Sequence, residues 1–171
     1  KGGLIENLYM ANFGQLDTTA ITAGEVSTIT MKVDPLATFG ANYIWFQLAV
    51  KKNSAGFTNP AEIGDSQFWN QTLEFQIEGF DTPTKLAMQN FLGTDAIFIG
   101  TTADGVSHMM GRISGAAMTA GDIGSGVATT DLVGGGATFV ASEIEVTPTI
   151  AAGTTIEILN EDGVTVDTIT L

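Results

Sequence analysis

With 171 residues, 44% of them hydrophobic and 15% charged, the chain has the size and composition of a single folded domain, 1–171, and not of a disordered segment. It lacks cysteine, which excludes a disulfide framework and a thiolate metal site. The formal net charge of −13, with only six Lys and Arg dispersed along the chain, excludes a nucleic-acid grip, because that affinity comes from cations displacing phosphate counterions.

The opening KGGLIENLYM has no basic region followed by a long apolar stretch, so no secretory leader is read and a cytosolic origin is expected. Val26 to Val33 alternates weakly, with Ile29, Met31 and Val33 in one phase. In ANYIWFQLAVKK the even positions Ile44, Phe46, Leu48 and Val50 are apolar, while Tyr43, Trp45, Gln47 and Ala49 form a second face too aromatic for ordinary solvent surface. This apolar run falls far short of the ~18 residues of a membrane-spanning helix, so no membrane partner is expected. Asn53 to Asp65 reads as a long loop. SQFWNQTLEFQIEG then alternates cleanly, with Trp69, Leu73, Phe75 and Ile77 toward a core and Asn70, Thr72, Glu74, Gln76 and Glu78 toward water.

One helix is predicted over 83–92: Thr82 can cap it, Pro83 suits its first position, Ala87, Met88, Phe91 and Leu92 share a face, and Gly93 can end it. AIFIG and VSHMMGR follow as strands about an Asp104-Gly105 turn, a strong hairpin signal. Gly111 to Gly136 is rich in Gly, Ala, Ser and Thr, and a connection of that length is either functional or pairs outside its own domain. Weak alternation in SGVATTDLV allows a strand there. Ala137, Phe139 and Ala141 hold one phase and Ile144 and Val146 the other, which a bulge would reconcile. Over 154–171, an Asp162-Gly163 turn would pair Leu159 with Val166 and Ile156 with Ile169, on opposite faces of a hairpin.

Reactive constellations are not found. The glycines at 121, 124 and 126, and those at 134–136, lack the spacing of a dinucleotide fingerprint and the Lys-Ser/Thr of a P-loop. His108 has no carboxylate or histidine at ligand spacing, and Ser107, Ser114 and Ser142 sit in no nucleophile-elbow pattern. Glu74 with Glu78, and Glu143 with Glu145, share strand faces, which most simply are solvated acidic surfaces. Neither an enzyme nor a cofactor or metal is expected. What remains is a mainly β, sandwich-like or barrel-like domain with one flanking helix, long Gly-rich loops, and strand faces and edges that assembly would cover.

FDTPTKLAMQNFLGTDAIFIGTTADGVSHMMGRISGAAMTAGDIGSGVATTDLVGGGATFVASEIEVTP resembles the tail tube (major tail) proteins of long-tailed bacteriophages. The likeness lies in the order helix, strand, Asp-Gly turn, strand carrying Gly-Arg-Ile, small-residue loop and late strand ending Ala-Ser-Glu, over roughly 66–148. It implies a homo-oligomer of hexameric rings stacked into a tube, in the virion tail after assembly in the host cytoplasm. DNA would pass without specific binding, and tape measure, terminator and baseplate or tip proteins would be partners. Glu74, Gln76 and Glu78 become candidates for an acidic lumen lining, with Glu143 and Glu145 as the rival face. The segment 113–136 becomes a candidate inter-ring arm through Ile113, Met118, Ile123, Val127, Leu132 and Val133. The alternatives are the tube of a contractile injection device, and a carbohydrate-binding β-sandwich stacking sugars on Tyr43, Trp45 and Trp69.

Overall fold

The computed structural model describes residues 5–32, 45–48, 50–63, 67–78, 89, 92–124, 134–159 and 164–171. These are mainly β: β1 (Ile5–Asn12), β2 (Leu16–Thr22), β3 (Glu25–Lys32), β4 (Phe46–Leu48), β5 (Gly56–Thr58), β6 (Ala61–Glu62), β7 (Phe68–Glu78), β8 (Ala96–Thr102), β9 (Ser107–Met110), β10 (Ala117–Gly124), β11 (Gly134–Glu143), β12 (Thr149–Leu159) and β13 (Thr165–Thr170). A larger sheet runs β2-β3-β12-β9-β8-β1-β4 with β13 beside β12, and a smaller one runs β10-β11-β7-β5 with β6 also on β7. The helix predicted over 83–92 lies outside the described residues except at Gln89, which is helical, and at Leu92, whose N–H donates to the Gln89 carbonyl before Gly93 turns at φ +74°.

The two sheets meet along both borders. Val50 bridges to Ile77 of β7, and Ala96 of β8 bridges to Ala116 just before β10. With the β1–β4, β1–β8, β10–β11 and β11–β7 pairings, these bridges close a barrel-like ring. Leu8, Met10 and Phe98 from the larger sheet fill it against Leu73, Phe75 and Phe139 from the smaller. Phe139 is central: its ring meets Phe98 edge-on at 4.7 Å and stacks on Phe75 at 6.1 Å, arrangements that suit aromatic quadrupoles.

A second core lies on the opposite side of β1, β8 and β9, where Ala11, Ile97, Ile99 and Met109 pack on Val26, Ile29 and Met31 of β3 and on Ile150 and Ile156 of β12. β8 is therefore buried on both faces, and that is why AIFIG is apolar without alternation. Trp45 belongs to this second core, while Leu48 and Val50 pack on the first, so the described part of this stretch serves both cores. Gly111 holds φ +77° where a Cβ would stand 2.9 Å from the Ala96 carbonyl oxygen, so the turn leaving β9 requires glycine.

In the C-terminal hairpin Ile156 pairs with Ile169 as expected. A register shift after Ile158 sets Leu159 opposite Thr165 instead of Val166. The expected loop at 53–65 contains β5 and β6, which line the free edge of β7 piecewise.

His108, on β9, is half-buried, and burial holds its imidazole below the ordinary value of 6.5, partly opposed by the Asp104 carboxylate. The unfolded chain then takes up the proton first, so stability falls as pH drops from about 6.5 through the folded-state value. The Asp104 carboxyl, held low first by the Thr102 hydroxyl, contributes only in more acid solution, below 3.8. The thermal midpoint should decline between pH 7 and pH 5, and His108→Gln should flatten that decline; equal slopes in the two proteins would contradict it.

Candidate functional site

β7 turns Leu73 and Phe75 into the barrel, and its two-residue period therefore presents Glu74 and Gln76 on the outside. Register then decides their neighbours. Thr138 of β11 lies opposite Glu74 and Gly136 opposite Gln76, and one strand further Ala120 and Asp122 of β10 face Thr138 and Gly136. Gly136, without a side chain, leaves a dip in which the Asp122 Oδ1 accepts the Gly136 N–H at 3.1 Å; a Cβ there would stand 3.0 Å from that oxygen. The result is a shallow groove of about 280 Å³ lined by Ser54, Glu74, Phe75, Gln76, Ala120, Gly121, Asp122, Gly136, Ala137 and Thr138. A second depression of about 270 Å³ lies on the other side of Glu74, lined by Asn53, Ser54, Ala55, Gly56 and Thr58. Neither lining contains a lysine or arginine, so the carboxylates of Glu74 and Asp122 have no cation beside them within these depressions. Ser54 fastens the wall: its hydroxyl donates to the Lys51 carbonyl at 2.6 Å and accepts the Gln76 N–H at 3.1 Å.

Of the three residues expected on the acidic face, Glu74 and Gln76 line the groove, and Glu78 pairs with Gly134 at the far end of β7. Asp122 joins them without having been singled out in the sequence. Nothing in GDIG distinguishes it until pairing with the glycines of β11 brings it across from Gln76.

The connection expected between Gly111 and Gly136 is corrected in two respects. Gly134, Gly135 and Gly136 are not a bend before a strand: they are paired within β11, against Glu78, Ile77 and Gln76 on one edge and Gly124, Ile123 and Asp122 on the other. Met118 and Ile123 stand on β10, a strand of the smaller sheet, with Met118 half-buried against the barrel core. Ile113 is exposed in the turn after β9, and Val127, Leu132 and Val133 lie outside the described residues.

The rival acidic face is also corrected, since Glu143 and Glu145 do not form an open surface. Glu143 is only 2% exposed and accepts the Ile113 N–H, the Ser114 N–H and the Ser114 hydroxyl at 3.0–3.2 Å. Glu145, beyond the end of β11, receives a two-pronged bond from Arg112 at 2.7 and 2.9 Å. That contact raises the arginine above its ordinary value. Arg112 also donates to the Thr19 hydroxyl on β2 at 3.0 Å, and fully buried Gln71 ties the Gly111 N–H to the Glu145 carbonyl. This cluster is an anchor for the turn at 111–115. Its polar groups are consumed internally, and a buried carboxylate with that many donors is satisfied in place.

Trp45 is buried while Trp69 is partly exposed at the start of β7, so the two do not make a joint stacking platform; Tyr43 lies outside the described residues. Among the described residues, no three His, Asp or Glu side chains gather as metal ligands. No protein-family model matches the chain, and no curated protein or solved structure is significantly similar to it.

Proposed function

We propose that this chain is a structural subunit of a bacteriophage tail tube, assembling into stacked hexameric rings, with the β7–β11–β10 face turned toward the lumen. The observation that carries the reading is the groove itself, where Glu74 and Asp122 stand in a lining that contains no lysine or arginine. Carboxylates in that groove repel DNA phosphates over the ~8 Å reach of a charge at physiological salt, and its lining offers no cation with which to exchange counterions. The resemblance in residue order over 66–148 supports the same reading. So does the outer edge of β10 beyond Ala116, along which the described residues provide no backbone partner, an arrangement in which a neighbouring strand could pair.

On this reading the chain is not an enzyme and takes no cofactor. Tape measure, terminator and baseplate or tip proteins are its partners in the virion. Negative-stain microscopy of the concentrated protein tests it: rings or tubes are expected, and a monodisperse monomer at every concentration would refute it.

A further inference from the structure

Six methionines and no cysteine make the thioethers the first groups in this chain to meet an oxidant. Four of them are sealed in the two cores: Met10 and Met31 are 1% exposed, Met109 and Met110 0%. Met88 lies outside the described residues. Met118 differs from the sealed four, being only partly buried and standing on β10, a strand whose one neighbour in the smaller sheet is β11. Ala117, Thr119 and Ala120 around it are exposed.

The Met118 side chain nevertheless has a seat. It packs against the barrel core, and its residue pairs with Phe139 at the centre of that core. A Cβ placed on Gly121 would stand 3.1 Å from the Met118 Cε and 3.2 Å from its Sδ. The thioether thus lies over the bare backbone of Gly121 and supplies the apolar bulk that glycine lacks there. A sulfoxide in that seat is polar and chiral where the thioether was apolar and pliant, and its oxygen has to be paired or hydrated.

We propose that Met118 is an oxidation site, taken by a peroxide ahead of the four sealed methionines, and that its sulfoxide loosens β10 from the barrel. The sulfur lone pair attacks one oxygen of hydrogen peroxide, an S–O bond forms and the O–O bond breaks. The departing hydroxide takes the proton left on the transferred oxygen and leaves as water. Sulfur gives up two electrons and the peroxide accepts them. Access decides the order among the methionines, because a sealed thioether reacts only when its core opens, whereas Met118 is reached in the folded state. The inference stands independently of the tube reading, since it concerns the folded subunit alone.

A time course of the folded protein in dilute hydrogen peroxide, digested and read by mass spectrometry, tests the order. Met118 sulfoxide is expected to accumulate about tenfold faster than sulfoxide at Met10, Met31, Met109 or Met110. Oxidation of any of those four at the rate of Met118 would overturn the assignment. The thermal midpoint tests the consequence, and should fall by about 3 °C or more on oxidation, to be restored by methionine sulfoxide reductase. Met118→Leu keeps an apolar side chain of similar volume without sulfur, so its midpoint should hold through the same treatment. A leucine variant that loses as much as the wild type, or a wild type whose midpoint is unmoved with Met118 converted, would show that this sulfur does not hold β10.

Discussion

Replacing Glu143 by leucine is expected to destabilise the fold by about 2–4 kcal/mol, because it leaves the Ile113 and Ser114 amides without their acceptor in a part-buried setting, where each unmet donor costs ~1–3 kcal/mol. The carboxylate is 2% exposed and takes four hydrogen-bond contacts from those two residues. For a chain of this length, the loss corresponds to a drop of about 10 °C in thermal midpoint. Glu143→Gln retains one acceptor oxygen and should lose about half as much. Urea unfolding of the three proteins checks this, and a leucine variant within 1 kcal/mol of the wild type, to order of magnitude, would show that the anchor does not hold the turn.

A comparable loss follows from emptying the barrel centre. Phe139 is fully buried between Phe75 and Phe98, and all three rings are held on paired strands. Phe139→Ala should cost about 3–5 kcal/mol through lost transfer energy and a residual cavity. Phe139→Leu, which keeps most of the volume, should cost about 1–1.5 kcal/mol. If alanine and leucine variants unfold at the same urea concentration, the ring cluster is not the centre of the fold.

These two residues also mark where the sequence is readable and where it is not. β7 could be read directly, because it has one dry and one wet face and its side chains alternate accordingly. β1 shows no such alternation: Leu8 and Met10 enter the barrel core while Ala11 and Tyr9 serve the second core. A strand clamped between two cores loses the period that betrays a strand. Gln71 occupies the apolar phase of β7 yet is fully buried, and it is explained only by the Gly111 amide and the Glu145 carbonyl, which lie far along the chain. Glu143 and Glu145 look alike in sequence as same-phase acids. Their difference arises where β11 ends and the chain brings one against backbone amides and the other against Arg112.

The candidate face was partly legible for the same reason as β7, since Glu74 and Gln76 alternate with Leu73 and Phe75. Asp122 was not, because its place depends on the β10–β11 register and on a glycine opposite that lets a side chain settle over the backbone. The glycine run at 134–136 looks like loop material in isolation. It is tolerated within β11 because both of its edges are hydrogen-bonded, to β7 and to β10.

Cryo-electron microscopy of assembled particles tests the central claim most directly, by locating β7 relative to the assembly axis. Glu74, Gln76 and Asp122 are expected to point into an enclosed channel, with β10 running beside a strand of the neighbouring subunit. Particles in which that groove faces outward to solvent, or is filled by a packed neighbour with no channel in front of it, would contradict the account.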